Sequence, residues 1–193
     1  MNSFSKDETM RLFVAVNFDE ATKSRLLAIQ DRIKAQSARG NFSRPENLHL
    51  TLVFIGEVAA DLVPEIIAIV KNALGGACNA STMNFSRTGC FRHSGKELWW
   101  IGPDSDAEPG IGALAAIRQR IGDGLDAAGI HYDRRPFRVH ITLGREIKPS
   151  APIVLPKEDI QIPINRVSLM KSERLSGVLT YTEIFGQDLN LEG

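Results

Sequence analysis

The chain has 193 residues, 43% of them hydrophobic and 24% charged, and its 23 basic residues balance its 23 acidic ones. This is globular composition, enough to bury roughly 70% of the unfolded surface in a core. Zero net charge excludes the broad basic stripe that grips long nucleic acid, while a small anionic ligand or an RNA end needs only a local positive patch.

Arg11–Phe18 is rich in Phe and Val and reads as a buried strand. Asp19 is placed to cap the next helix, on which Leu26, Ile29 and Ile33 form one apolar stripe. Gly40–Pro45 reads as a loop, followed by a strand through Leu48–Phe54 that stops at Gly56. A second helix starts near Asp61 and Pro64, turns Ile66, Val70 and Leu74 inward, and ends at Gly75-Gly76. One strand is expected from about Ser81 to Phe91 and another over Glu97–Gly102, joined by a turn at His93–Lys96. After a polar loop comes a long helix with Leu114, Ile117, Ile121 and Leu125 on one face, closed by Gly129. A loop with Arg134, Arg135 and Arg138 leads into a strand over Val139–Arg145. The Pro-rich stretch Pro149–Pro163 precedes two last strand-like runs, near Ile162–Lys171 and Leu179–Phe185.

His-x-Thr occurs twice, as His49-Leu50-Thr51 and His140-Ile141-Thr142. Alternate residues of a strand share a face, so each motif offers an imidazole and a hydroxyl roughly 7 Å apart, backed by aliphatic residues. Strand, helix, loop and motif strand recur at residues 11–53 and 97–143, and such repeats often pack about a two-fold axis. Two histidines in one cleft can divide acid and base work near neutral pH, and hydroxyls beside them can hold phosphate oxygens. Arg145 suits bidentate phosphate binding. Strict alternation puts it on the face opposite His140, and a bulge at Gly144 would release it toward the cleft.

A lone His-x-Thr strand is ordinarily a half-buried, hydrogen-bonded histidine, and it is the second copy that points to a site. There is no H-E-x-x-H, clustered carboxylate partner, glycine-rich phosphate loop or nucleophile elbow. His93 and His131 read as solvated. Trp99 and Trp100 alternate across a strand, so at least one is expected in the core. Cys78 and Cys90 have no metal spacing, and a disulfide-dependent secreted fold is not expected. Met1–Glu8 lacks a signal-peptide core, and no run reaches the ~20 apolar residues of a membrane span. A soluble, cytoplasmic protein is expected.

With these residues in view, the chain resembles the 2H phosphoesterase superfamily. Within it, the chain is most similar to the RNA 2′,3′-cyclic phosphodiesterases, or 2′-5′ RNA ligase family. The resemblance rests on Arg11–Val16, Arg44–Leu52, Leu98–Gly102, Pro136–Arg145, and the closing Ser172, Gly177 and Tyr181. It implies an α+β, bilobal, duplicated fold, with two antiparallel-rich sheets facing a central cleft and helices outside. Residues 1–193 would form a single domain of two pseudo-symmetric lobes. It also implies metal-independent, cofactor-free hydrolysis of RNA 2′,3′-cyclic phosphate ends to 2′-phosphomonoesters. His49 is assigned as proton donor and His140 as proton acceptor, although the sequence is nearly symmetric in the two and the roles are exchangeable at this stage. Thr51, Thr142 and Arg145 would hold the phosphate. The expected partners are RNA ends or small cyclic nucleotides, with no membrane, and the protein is expected to be a monomer. Two alternatives stay open. One is a phosphodiesterase or reversible ligase for another cyclic or 2′-5′-linked nucleotide; the other is a non-catalytic nucleotide- or RNA-binding module.

Overall fold

The computed structural model describes residues 8–75, 80–105 and 107–189. Residues 1–7, Gly76, Cys78 and the His93 side chain, all read from sequence above, lie outside the described residues. The first part of the chain contains β1 (Thr9–Asn17), α1 (Glu20–Ala35), β2 (Ser37–Phe42), β3 (His49–Ala59) and α2 (Val63–Leu74). Next come β4 (Ser81–Phe85), β5 (Arg87–His93), β6 (Lys96–Gly102) and α3 (Ile111–Ala127). The chain closes with β7 (Ile141–Pro149), β8 (Ile160–Ile164), β9 (Arg166–Leu175) and β10 (Val178–Asp188).

The helices follow their apolar stripes. Leu26, Ile29 and Ile33 of α1, Ile66, Val70 and Leu74 of α2, and Leu114, Ile117, Ile121 and Leu125 of α3 are all buried. They join Leu12, Val14, Leu50, Leu52, Ile141 and Leu143 in one core. Asp19 accepts from the Thr22 amide at 2.7 Å, which satisfies an orphan donor and holds the carboxyl below its ordinary range. No helix among the described residues is long and apolar enough to cross a membrane.

The fold is α+β with antiparallel sheets. The large sheet runs β10-β9-β1-β3-β7-β6-β5, with β2 also paired to β7, while β4 and β8 form a separate ribbon. Its two halves join at a single described pairing between β3 and β7, Leu50 with Ile141. These are the central residues of the two His-x-Thr motifs, and both are fully buried. Antiparallel pairing there sets the four flanking residues, His49, Thr51, His140 and Thr142, on the face away from the core. The expectation of two sheets thus becomes two half-sheets hinged at the motifs.

Several boundaries differ from the sequence reading, among them the end of β3, which passes Gly56 and stays paired with β1 as far as Ala59. The loop expected from Gly40 is part of β2, which lies against β7 through Arg39–Lys148 and Phe42–Gly144. Ile147 packs so closely on Gly40 that a Cβ there would sit 2.2 Å from Ile147 Cδ1. The single strand expected over Ser81–Phe91 breaks at Ser86 because β4 pairs with β8 and β5 with β6. The run Ile162–Lys171 breaks at Asn165 for the same reason, since β8 and β9 belong to different sheets. Finally, His140 precedes β7 by one residue rather than lying within it.

Gln30 fastens the hinge. Its buried amide donates to Ser43 O at 2.7 Å and to Leu143 O at 2.8 Å, tying α1 to the approach to one motif and the exit of the other. Gln30→Leu removes the side-chain donor from both carbonyls, of which Leu143 O keeps the Ser43 amide. We expect it to lower the unfolding free energy by about 1–3 kcal/mol, read as a lower urea midpoint at unchanged m-value. An unchanged midpoint would show that the amide is not a structural fastener.

Candidate active site

Both histidines are held in the same way. His49 Nδ1 lies 2.8 Å from Asn47 O, and His140 Nδ1 lies 2.7 Å from Arg138 O. A carbonyl only accepts, so each Nδ1 carries the proton and each neutral ring keeps its Nε2 lone pair for chemistry. In both cases the carbonyl belongs to the residue two positions before the histidine. Arg138, the last arginine of the loop before β7, contributes its backbone carbonyl here.

The two environments differ. His49 is packed between Phe13 and Tyr181, with ring centroids at 4.9 and 5.2 Å, and its Nε2 is 2.9 Å from Thr51 Oγ1. In the neutral ring that hydroxyl donates to Nε2. Burial drives the His49 pKa down to about 4, with the positive charge of Arg145 and the neighbouring His140 pushing the same way against the Asn47 hydrogen bond. His140 is also lowered, first by burial and then by Arg145, against the bond to Arg138. Phe91 meets its ring edge-on at 5.7 Å and stacks on Trp100 at 5.4 Å. Trp100 pairs with Thr142 on the cleft side, whereas Trp99 is buried and donates to Glu97 at 2.7 Å.

The depressed His49 pKa has a stability consequence. The unfolded imidazole takes a proton as pH falls through 6.5, but the folded one resists until about pH 4. Stability is therefore lost as pH falls across that window, by roughly 3 kcal/mol from this group, and levels off below it. His49→Gln should flatten that part of the stability curve relative to the parent. Parallel curves would show that the buried imidazole does not resist protonation.

Arg145 reaches the cleft by the irregularity anticipated at Gly144. Trp100 pairs with Thr142 and Trp99 with Gly144, so β7 carries one extra residue there and the alternation resets. Arg145 then lines a cavity of 630 Å³ together with His49, Thr51, Phe13, Phe54 and Tyr181. Arg11, Arg135 and Arg174 line it too, against one carboxylate, Glu173. The cavity thus opens beside His49; His140 and Thr142 are not among its lining residues, and Arg145, whose charge acts on both histidines, connects the two motifs. The sequence reading missed Phe13, Phe91, Arg11 and Arg174; of these, Arg11 and Phe13 share a face by alternation on β1. His131 is exposed, as expected. Among the described residues, no group of three or more His, Cys, Asp or Glu side chains is arranged to hold a metal ion.

Arg118 ties this site together. Its guanidinium donates to Leu52 O at 3.0 Å on β3 and to Asp133 O and Arg135 O in the loop before His140. The first motif and the approach to the second are thereby fixed to α3.

Known proteins resemble this chain in sequence and in fold. The family model of the 2′-5′ RNA ligase superfamily matches residues 18–175. An RNA 2′,3′-cyclic phosphodiesterase from Archaeoglobus fulgidus is 30% identical over 137 residues, covering 70% of this chain and 72% of the relative. Another of that name, from Thermus thermophilus, is 28% identical over 169 residues, covering 85% and 82%. Among solved structures, TT0787 of Thermus thermophilus superposes with a TM-score of 0.77 at 27% identity, covering 95% of this chain and 100% of that one. E. coli LigT complexed with 3′-AMP gives a TM-score of 0.77 at 24% identity, covering 94% and 99%, and shares the fold. The chain belongs to the 2′-5′ RNA ligase superfamily.

Proposed function

We propose that this protein is an RNA 2′,3′-cyclic phosphodiesterase, a cytoplasmic monomer that opens cyclic phosphate ends to 2′-phosphomonoesters without a metal or cofactor. The observation that carries this reading is the matched pair of histidines. Each is locked through Nδ1 to a carbonyl two residues upstream, and each leaves Nε2 for proton transfer in one cleft. The family membership and the names of its relatives support the substrate class. On this reading the two half-sheets are the pseudo-symmetric lobes of a single domain.

The chemistry follows from where the room is. In-line attack needs water on one side of phosphorus and the departing O3′ on the other. The cavity lies beside His49, so the nucleoside and its O3′ belong on that side. His140 Nε2 then takes a proton from water as its oxygen bonds to phosphorus. The P–O3′ bond breaks, and His49 Nε2–H gives its proton to O3′. Thr51 turns its hydroxyl from Nε2 to a phosphate oxygen, Thr142 holds the other, and Arg145 balances the growing charge. Proton exchange with solvent resets the pair.

A substrate panel tests the reading: an RNA oligomer with a 2′,3′-cyclic end, cyclic mononucleotides, 2′-5′ dinucleotides and a mixture of cyclic and 5′-hydroxyl RNA ends. Fastest turnover of the cyclic end is expected. Faster cleavage of the 2′-5′ dinucleotides, or net joining of ends, would assign the cleft to those reactions. Binding of 2′-AMP with no turnover of any substrate would make it a binding module.

A further inference from the structure

The cleft holds more positive charge than one cyclic phosphate requires. A cyclic phosphodiester carries a single negative charge, and Arg145, acting on both histidines, already stands beside it. Of the other cavity arginines, Arg135 is committed to Asp133. Arg11 has only a loose pairing with Glu57 at 3.6 Å and is about half exposed, its guanidinium lying 4.8 Å over the Phe54 ring. Arg174 pairs with no carboxylate among the described residues and donates instead to Gly177 O at 2.9 Å. The lining carboxylate, Glu173, is engaged by Lys171 at 2.9 Å.

The register puts these two arginines in a line leading away from the histidines. On β1, Ala15 faces Thr51, Phe13 faces Phe54 and Arg11 faces Glu57, so Arg11 lies four residues, roughly 13 Å, along the strand from the Thr51 row. Arg11 pairs across to Ser172 on β9, and Arg174 follows two residues on, on the same face and roughly 7 Å further. Between the two ends the cavity floor is apolar, with Phe13, Phe54 and Tyr181 in one cluster. Beyond Arg174 the β9–β10 hairpin turns through Ser176 and Gly177, both at positive φ, and exposes Leu175, Val178 and Leu179. An apolar floor with a cation at each end is the pattern of a single-strand track, where rings take bases and arginines take phosphates.

We infer that Arg11 and Arg174 bind the phosphodiester upstream of the cyclic end, so that the protein selects the 3′ terminus of a single-stranded RNA over a cyclic mononucleotide. This rests on the function proposed above. The upstream nucleotide lies over the β1–β9–β10 face, and the hairpin tip supports its base.

The test is the ratio of kcat/KM for a short RNA ending in a 2′,3′-cyclic phosphate to that for the 2′,3′-cyclic mononucleotide. We expect the wild type to favour the oligomer and Arg174→Gln to lower the ratio about tenfold, the size of one charged hydrogen bond. Arg174→Lys should keep most of the preference, which separates a phosphate contact from a change in hairpin shape. Arg11→Gln combined with Arg174→Gln should also flatten the salt dependence of log kcat/KM on the oligomer by about 0.7, since the two arginines neutralise one phosphate. A wild-type ratio near one, or a ratio unmoved by these substitutions, would overturn the inference while leaving the hydrolase reading intact. A wild type that turns over neither substrate would overturn both.

Discussion

Replacing either His49 or His140 with alanine is expected to lower kcat for opening an RNA 2′,3′-cyclic phosphate by about 10²–10⁴, with a much smaller change in KM. Each ring is fixed by its own backbone carbonyl, so neither depends on the other for position. They nevertheless perform the two halves of one displacement, and the double variant should be little worse than the poorer single one. Thr51→Val and Thr142→Val should cost less than either, since they remove a hydrogen bond to the phosphate and not a proton-transfer partner. Steady-state kinetics on one oligomer measure all five. A histidine variant with near-parental kcat would remove that residue from the chemistry.

Arg145→Gln is expected to lower kcat/KM by about 10²–10³ and to move its pH profile upward. The sign follows from the charges. Burial first, and then the guanidinium of Arg145, which disfavours a second positive charge nearby, lower both imidazole pKa values, His49 to about 4. The parent's bell in kcat/KM should therefore be centred below pH 6.5, between the two histidine values. Removing the guanidinium lets both rings hold their protons to higher pH, so both limbs shift the same way. The kcat profile of the parent should itself sit higher than its kcat/KM profile, because a bound phosphate anion favours imidazolium. Limbs that stay in place or move down in Arg145→Gln would contradict this electrostatic arrangement.

Much of this site was legible because its key signal is local. His49 with Thr51 and His140 with Thr142 share a face by the period of a strand, and buried Leu50 and Ile141 confirm which face lies inward. The helical stripes were equally plain. What escaped depends on pairing partners far along the chain. Ser37–Phe42 reads Ser-Ala-Arg-Gly-Asn-Phe, with no alternation, and is a strand because β7 offers it an edge. The breaks at Ser86 and Asn165 arise because adjacent strands join different sheets, which continuous β-propensity conceals. Arg145 violates strict alternation, and only the glycine beside it hinted at the bulge. Phe13 sits in a run hydrophobic on both faces, so its place beneath His49 has no periodic signature.

The most direct measurement is turnover of an RNA oligomer ending in a 2′,3′-cyclic phosphate, in excess EDTA, with the product resolved as a 2′- or 3′-phosphate. Paired-histidine hydrolysis with O3′ departing on the His49 side gives a 2′-phosphate at a rate unaffected by the chelator. A 3′-phosphate product, or activity abolished by EDTA and restored by a divalent metal, would contradict it.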